Sequence, residues 1–206
     1  MKLLAVLAVL LIGFFVADTV AENTAEARAE ERLAAAVPQA DGLSVDVQGA
    51  LFLPQLLGGS FDRMRVTADE VRRGGVSVGD LAITFRNVSF SIGDLMSGTG
   101  ALRVTGGSGT ATISERAVNQ ALAQEDVDAE VALAERVSLT AGGRTATVEN
   151  VTLADSGKQV LFSAPPLEPL ALDLPRSLAS VEYTDVAVEH DRLVLSLTIA
   201  KGKVEL

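Results

Sequence analysis

From Leu43 onward the chain alternates apolar and polar positions. Leu43, Val45 and Val47 share one face of "LSVDVQG", and Met64 and Val66 continue the rhythm in "FDRMRVTADEV". A period of two marks strands with one face buried. In "VSVGDLAITFRNVSFSI" the apolar positions are Val76 and Val78, then Leu81, Ile83 and Phe85, then Val88, Phe90 and Ile92. The phase slips near Gly79-Asp80 and again near Arg86-Asn87, which predicts successive strands or one bulged strand. "ALRVTGGSGTATI" is strand-like with glycine-rich bends. So are "AEVALAERVSLTAGG", "RTATVENVTLAD", "KQVLFSAP" and "ASVEYTDVAVEH". The most regular stretch is the last, with Leu193, Leu195, Leu197 and Ile199 on one face. His190-Asp191 is expected at the turn before it, and Gly142-Gly143-Arg144 at a hairpin turn. The proline-rich "APPLEPLALDLPRS" reads as a long connection within the same domain.

Three stretches break this texture. "TISERAVNQALAQED" puts Ala117, Val118, Ala121 and Leu122 on one side of a short amphipathic helix at about 114–124. Ser114 is a fitting N-cap, and Thr112 with Glu115 offers a capping box instead. "DTVAENTAEARAEERLAAAVPQADG" is rich in helix formers and is stopped by Pro38 and Gly42, so residues 22–42 are expected to form a leading helix or stalk. Before it, Met1-Lys2 precedes an apolar run from Leu3 to Ala17. Residues 1–21 therefore read as a signal peptide or signal anchor, with cleavage near Ala21 as the alternative to retention. Either form carries residues 43–206, a single domain, across a membrane. That domain is expected to be α+β and mostly antiparallel sheet: its apolar face needs a cover, which either a strongly curved sheet wrapped on a helix or a flatter two-layer arrangement would supply.

Composition narrows the chemistry. The chain of 206 residues has no cysteine and a net charge of −10. Disulfides, thiolate metal sites and a lipidated cysteine are excluded, and nucleic acid is repelled. No cofactor is called for. The one histidine, His190, lies beside Asp191 at a turn and follows no nucleophile motif. Glu125, Asp126, Asp128 and Glu130 lack the pattern of a calcium loop. Gly106-Gly107-Ser108-Gly109 has no lysine after it to make a phosphate loop. No catalytic set emerges, so the chain reads as a binding protein and not an enzyme. Two alternatives stand: a lipid-modifying activity using Asp62 or Asp69, and a scaffold docking a protein partner.

What remains are three oily stretches interrupted by glycine or proline. "GALFLPQLLGG" carries Leu51, Phe52, Leu53, Leu56 and Leu57, with Phe61 just beyond. "SIGDLMSGTG" carries Ile92, Leu95 and Met96, and "VLFSAPPLEPL" carries Phe162. Such stretches suit the rim of an apolar cavity of lipid size. Pro54 is expected to keep the first from forming regular structure. Arg63, Arg65, Arg72 and Arg73 stand close enough in sequence to meet a phosphate at the cavity mouth.

"VDVQGALFLPQLLGGSFDRMRVTADEV" at 45–71, "GTATISERAVNQAL" at 109–122 and the closing "LPRSLASVEYTDVAVEHDRLVLSLTIAKGKVEL" carry a resemblance. The chain resembles the actinobacterial LmeA-like family of exported phospholipid-binding proteins. The resemblance implies a curved sheet around a long helix, similar to the tubular lipid-binding (TULIP-like) fold. It implies non-catalytic binding or carriage of phospholipid, of phosphatidylinositol type in the relative for which the family is named, on the outer side of the cytoplasmic membrane. A role in lipoglycan or envelope biogenesis goes with it. It supplies no catalytic motif.

Overall fold

The computed structural model describes residues 40–49, 52–73, 75–91, 101–175 and 181–205. The first strands follow the alternation closely. β1 (Ala40–Asp41) and β2 (Ser44–Gln48) are followed by a single turn of helix, α1 (Phe52–Leu57). Two strands of 14 residues come next, β3 (Ser60–Arg73) and β4 (Val76–Ser89). β5 (Ala101–Val104) and β6 (Gly106–Ser114) lead into the second helix, α2 (Glu115–Gln124). Then come β7 (Ala129–Leu133), β8 (Val137–Ala141), β9 (Arg144–Thr147), β10 (Asn150–Ala154), β11 (Gln159–Ser163) and β12 (Leu170–Asp173). β13 (Val181–Glu189), β14 (Arg192–Ile199) and β15 (Gly202–Glu205) close the chain.

Nine strands make one antiparallel sheet in the order β1-β3-β4-β6-β14-β13. β2 shares the outer edge of β3 with β1, while β5 links β4 to β15. Two three-stranded sheets, β7-β8-β9 and β10-β11-β12, complete it. Their apolar faces meet that of the large sheet in one core, which includes Val88, Ile113, Leu195, Leu139, Phe162 and Leu172. α2 packs into this core through Ala117, Val118, Ala121 and Leu122. Ser114 caps it by accepting from the Ala117 N–H at 3.3 Å. Both the helix and its buried face match expectation.

The phase slips resolve as one bulged strand. β4 buries Val76 and Val78, then Ile83 and Phe85, then Val88. Between these sets lie Asp80 and Asn87, in the left-handed region at φ 46° and 45°. Short polar residues tolerate that conformation best after glycine. β3 changes face with its partner. Phe61 pairs Val88 and Arg63 pairs Arg86, passing Asp62 opposite Asn87; Ala68 pairs Leu81 and Glu70 pairs Gly79, passing Asp69 opposite Asp80.

Some expectations change. The described residues are mostly β, in open sheets, and not an α+β domain wrapped on a long helix. Their two helices have six and ten residues. Where they are described, the period-two segments form strands, and among the described residues the small sheets and α2 pack on the large sheet's apolar face. The expected leader and most of the leading helix lie outside the described residues. At the end of that helix, Ala40 and Asp41 instead pair with Val71 and Glu70. "RTATVENVTLAD" divides into β9 and β10, which belong to different sheets. The proline-rich connection contains β12. No helix among the described residues is long and apolar enough to cross a membrane.

Candidate functional site

Pro54 does not break the oily segment. It sits in the first turn of α1, where a missing N–H costs nothing because no helical acceptor precedes it. The turn closes when the Gly58 N–H donates to the Pro54 carbonyl at 2.9 Å. Gly59, at φ 68°, then reverses the chain into β3 in the left-handed conformation that commonly ends a helix. Gln55 ties the turn down by accepting from the Asp62 N–H at 2.9 Å. A Cβ on Gly49 would lie 1.7 Å from the tip of the Gln55 side chain, so a larger residue there would push that amide aside.

This turn sorts the expected rim residues. Phe52 is buried and stacks on Phe61 with ring centroids 5.4 Å apart. Phe61 in turn meets Phe90 at 4.8 Å. Leu56 is half-buried against the core. Leu57 is 77% exposed, the one large apolar side chain so placed among the described residues. Phe162 is fully buried in the common core, away from any rim, because alternation along β11 turns it inward with Val160. Leu51, Ile92, Leu95 and Met96 lie outside the described residues, as does the side chain of Leu53.

The arginine candidates also separate. Arg72 lies 2.9 Å from Glu70 and 3.6 Å from Asp41, so carboxylates already occupy it. Glu70 accepts from the Ser77 hydroxyl as well. That hydrogen bond, then the one from Arg72, holds the Glu70 carboxyl below its ordinary value, and the Glu70 contact raises Arg72. The Arg73 side chain lies outside the described residues. Arg63 and Arg65, by contrast, share the sheet's solvent face with a third arginine, Arg86, on β4. Together with Gln48, Thr84 and Ser108 they line an open basin of ≈ 350 Å³.

The basin is a product of register. Gln48 lies opposite Arg63, Arg63 opposite Arg86, and Arg65 opposite Thr84, which lies opposite Ser108. Arg86 precedes the bulge residue Asn87. Asn87 donates to the Thr105 hydroxyl at 3.1 Å, and the Thr105 hydroxyl donates to the Arg86 carbonyl at 3.0 Å. These bonds fix the backbone that presents Arg86. None of the three guanidinium groups has an ion-pair partner among the described residues. Asp46, opposite Arg65, accepts instead from the Gln48 amide at 2.6 Å. Arg86, Gln48, Thr84 and Ser108 were not singled out from the sequence. The slip at Arg86-Asn87 was a visible signal for the first, but only the pairing places it against Arg63.

The residues weighed for catalysis stand apart. Asp62 and Asp69 are exposed at the two positions where β3 passes without a bridge partner. His190 is exposed at φ 58° in the hairpin turn between β13 and β14, as expected. Among the described residues no cluster of acidic or imidazole groups could hold a metal ion.

A family model described as LmeA-like phospholipid-binding matches residues 16–198. No curated protein and no solved structure matches. The match spans most of the chain, and the chain belongs to the LmeA-like phospholipid-binding family.

Proposed function

We propose that this member of a phospholipid-binding family holds or carries a diacyl phospholipid without chemically changing it, and that α1 is where the lipid enters. The observation that carries the reading is the match to a phospholipid-binding family over residues 16–198, and Leu57 marks the proposed point of entry. It stands exposed at the end of α1, on a segment pinned by Gln55 whose first residue, Phe52, stacks on Phe61. An exposed leucine on a fixed turn is positioned to touch the apolar layer of a bilayer while the domain stays in water. Acyl chains then need no charge partner, since each methylene removed from water contributes about 0.8 kcal/mol. A chain taken from a bilayer leaves an equally apolar place, so the fit sets the net gain.

The finer proposal places the protein on the outer side of the cytoplasmic membrane, brought there by residues 1–21, with a phosphatidylinositol-type lipid as ligand. The apolar run after Met1-Lys2 and the family resemblance support it. Native mass spectrometry of gently purified protein tests the central claim. Wild type should carry a phospholipid. Leu57→Asp should lose most of that loading while melting within about 0.5 kcal/mol of wild type, since the site is on the surface. Wild type that carries no lipid and takes up no anionic phospholipid would end the reading.

A further inference from the structure

We propose that the solvent face of the nine-stranded sheet holds a phosphate-binding site, formed by Arg63, Arg65 and Arg86, on the opposite side of the sheet from the core. The site stands on its own geometry. Only the source of its phosphate rests on the lipid-binding reading.

Side-chain direction comes first. Met64 and Val66 turn toward the core, so Arg63 and Arg65, alternating with them, turn outward. Residues directly opposite share a face, which brings Arg86 beside Arg63. A lipid with its chains on the core side cannot also place its headgroup here, because the sheet lies between. An anion held in the basin would therefore be a separate one.

Charge makes the same argument. Two like charges directly opposite across a strand pair destabilise a sheet. The chain has 27 acidic residues against 17 basic ones, so carboxylates are plentiful, and Arg72 and Arg192 both have them. Yet among the described residues none of the basin's three guanidinium groups forms an ion pair, even though Asp46 lies directly opposite Arg65 and accepts from Gln48 instead. An anion bound among them turns repulsion into attraction.

Shape then selects the anion. A guanidinium group presents a planar fork of donors that fits phosphate oxygens two at a time. The Thr84 and Ser108 hydroxyls and the Gln48 amide add neutral donors around the same ≈ 350 Å³. A planar carboxylate satisfies one fork. A tetrahedral phosphate offers acceptors in several directions and can meet all three.

The test follows the arginine Nε–H resonances of ¹⁵N-labelled full-length protein during titration with glycerol 3-phosphate, against sodium chloride of equal ionic strength. Saturable shifts confined to Arg63, Arg65 and Arg86 are expected. Arg86→Gln and Arg65→Gln should each weaken binding about tenfold, or about 1.4 kcal/mol. Without phosphate, Arg86→Gln should melt no lower than wild type, because a like-charge contact is gone. Shifts equal to those in sodium chloride, or spread over all arginines, would overturn the site. Lipid that co-purifies with wild type should remain with Arg86→Gln, and its loss would overturn the separation of the two sites. Saturable shifts in a wild type that never carries lipid would leave this site standing and remove the lipid reading alone. Sedimentation with phosphatidylcholine vesicles, with and without phosphatidylglycerol, assigns the source. Arg86-dependent co-sedimentation with the anionic vesicles alone supports a bilayer headgroup. Glycerol 3-phosphate binding without co-sedimentation supports the site and assigns it a soluble or glycan-borne phosphate.

Discussion

Arg86 and Asn87 are neighbours, both exposed, and the second makes the first useful. Asn87 takes up the left-handed conformation that turns Val88 inward, and its bond to Thr105 steadies the Arg86 carbonyl. Arg63 and Arg65 stood out in the sequence only as arginines near a proposed cavity mouth; their common parity on β3 gives them a shared face. Arg86 did not stand out, because its meeting with Arg63 depends on pairing between strands. Arg72 shows the reverse case: legible as a basic residue, but occupied by Glu70 and Asp41. Glu70 itself gives a prediction in pH. Ser77 and then Arg72 hold its carboxyl below the ordinary 4.5. The stabilisation is therefore complete above about 4.5, the unfolded value, and fades as pH falls through the lower folded value. Urea unfolding on either side of that value should show wild type and Glu70→Gln separated on the neutral side and converging on the acid side. A gap that widens toward acid would contradict this.

Local signals read well in some elements and misled in others. The buried face of α2 was visible because four apolar residues fall at helical spacing beside a serine cap. The bulged β4 was visible because its apolar phase slips twice. α1 was not legible, because a proline within an apolar run ordinarily breaks a helix, although the first turn accepts it. No local signal showed how α2 is fastened. Asn119, half-buried on the helix, donates to the Val131 carbonyl and accepts from the Val131 N–H, both at 2.8 Å. Glu115 accepts from the Leu133 N–H at 2.7 Å. The amide thus continues the edge of β7 as a neighbouring strand would. Asn119→Ala leaves two backbone groups of β7 without partners, at about 1–3 kcal/mol each when buried. The half-exposed setting points to the lower end, a loss of about 2 kcal/mol in urea unfolding. Amide exchange at Val131 should quicken. An unchanged midpoint with unchanged exchange would show that water replaces the clamp at no cost.

Across the molecule, three sheets share one core, and Phe162 tests that unity. It is fully buried with Val160 and Leu172, although the sequence suggested a cavity rim. Phe162→Ala should cost about 3–5 kcal/mol and lower a single unfolding transition seen alike by circular dichroism and by NMR. Separate melting of β10-β11-β12 would show two cores. Most of the longer strands were legible, because each carries its own alternation, but β1 and β12 were not, and single stretches such as "RTATVENVTLAD" proved to hold two strands. The order of the strands was not legible, because pairings such as β6 with β14 join segments far apart in the chain, and no local pattern records them. The matched slips of β3 and β4 carry one more consequence. Asp62 and Asn87 are the residues by which each strand exceeds plain alternation, and so are Asp69 and Asp80. Removing one member alone leaves its partner strand longer and the join lopsided. Removing both shortens the two strands equally and keeps every later pair facing as before. Over generations, then, these strands are free to change length in couples and resist changing it singly, as two columns of one ledger must be amended on the same line.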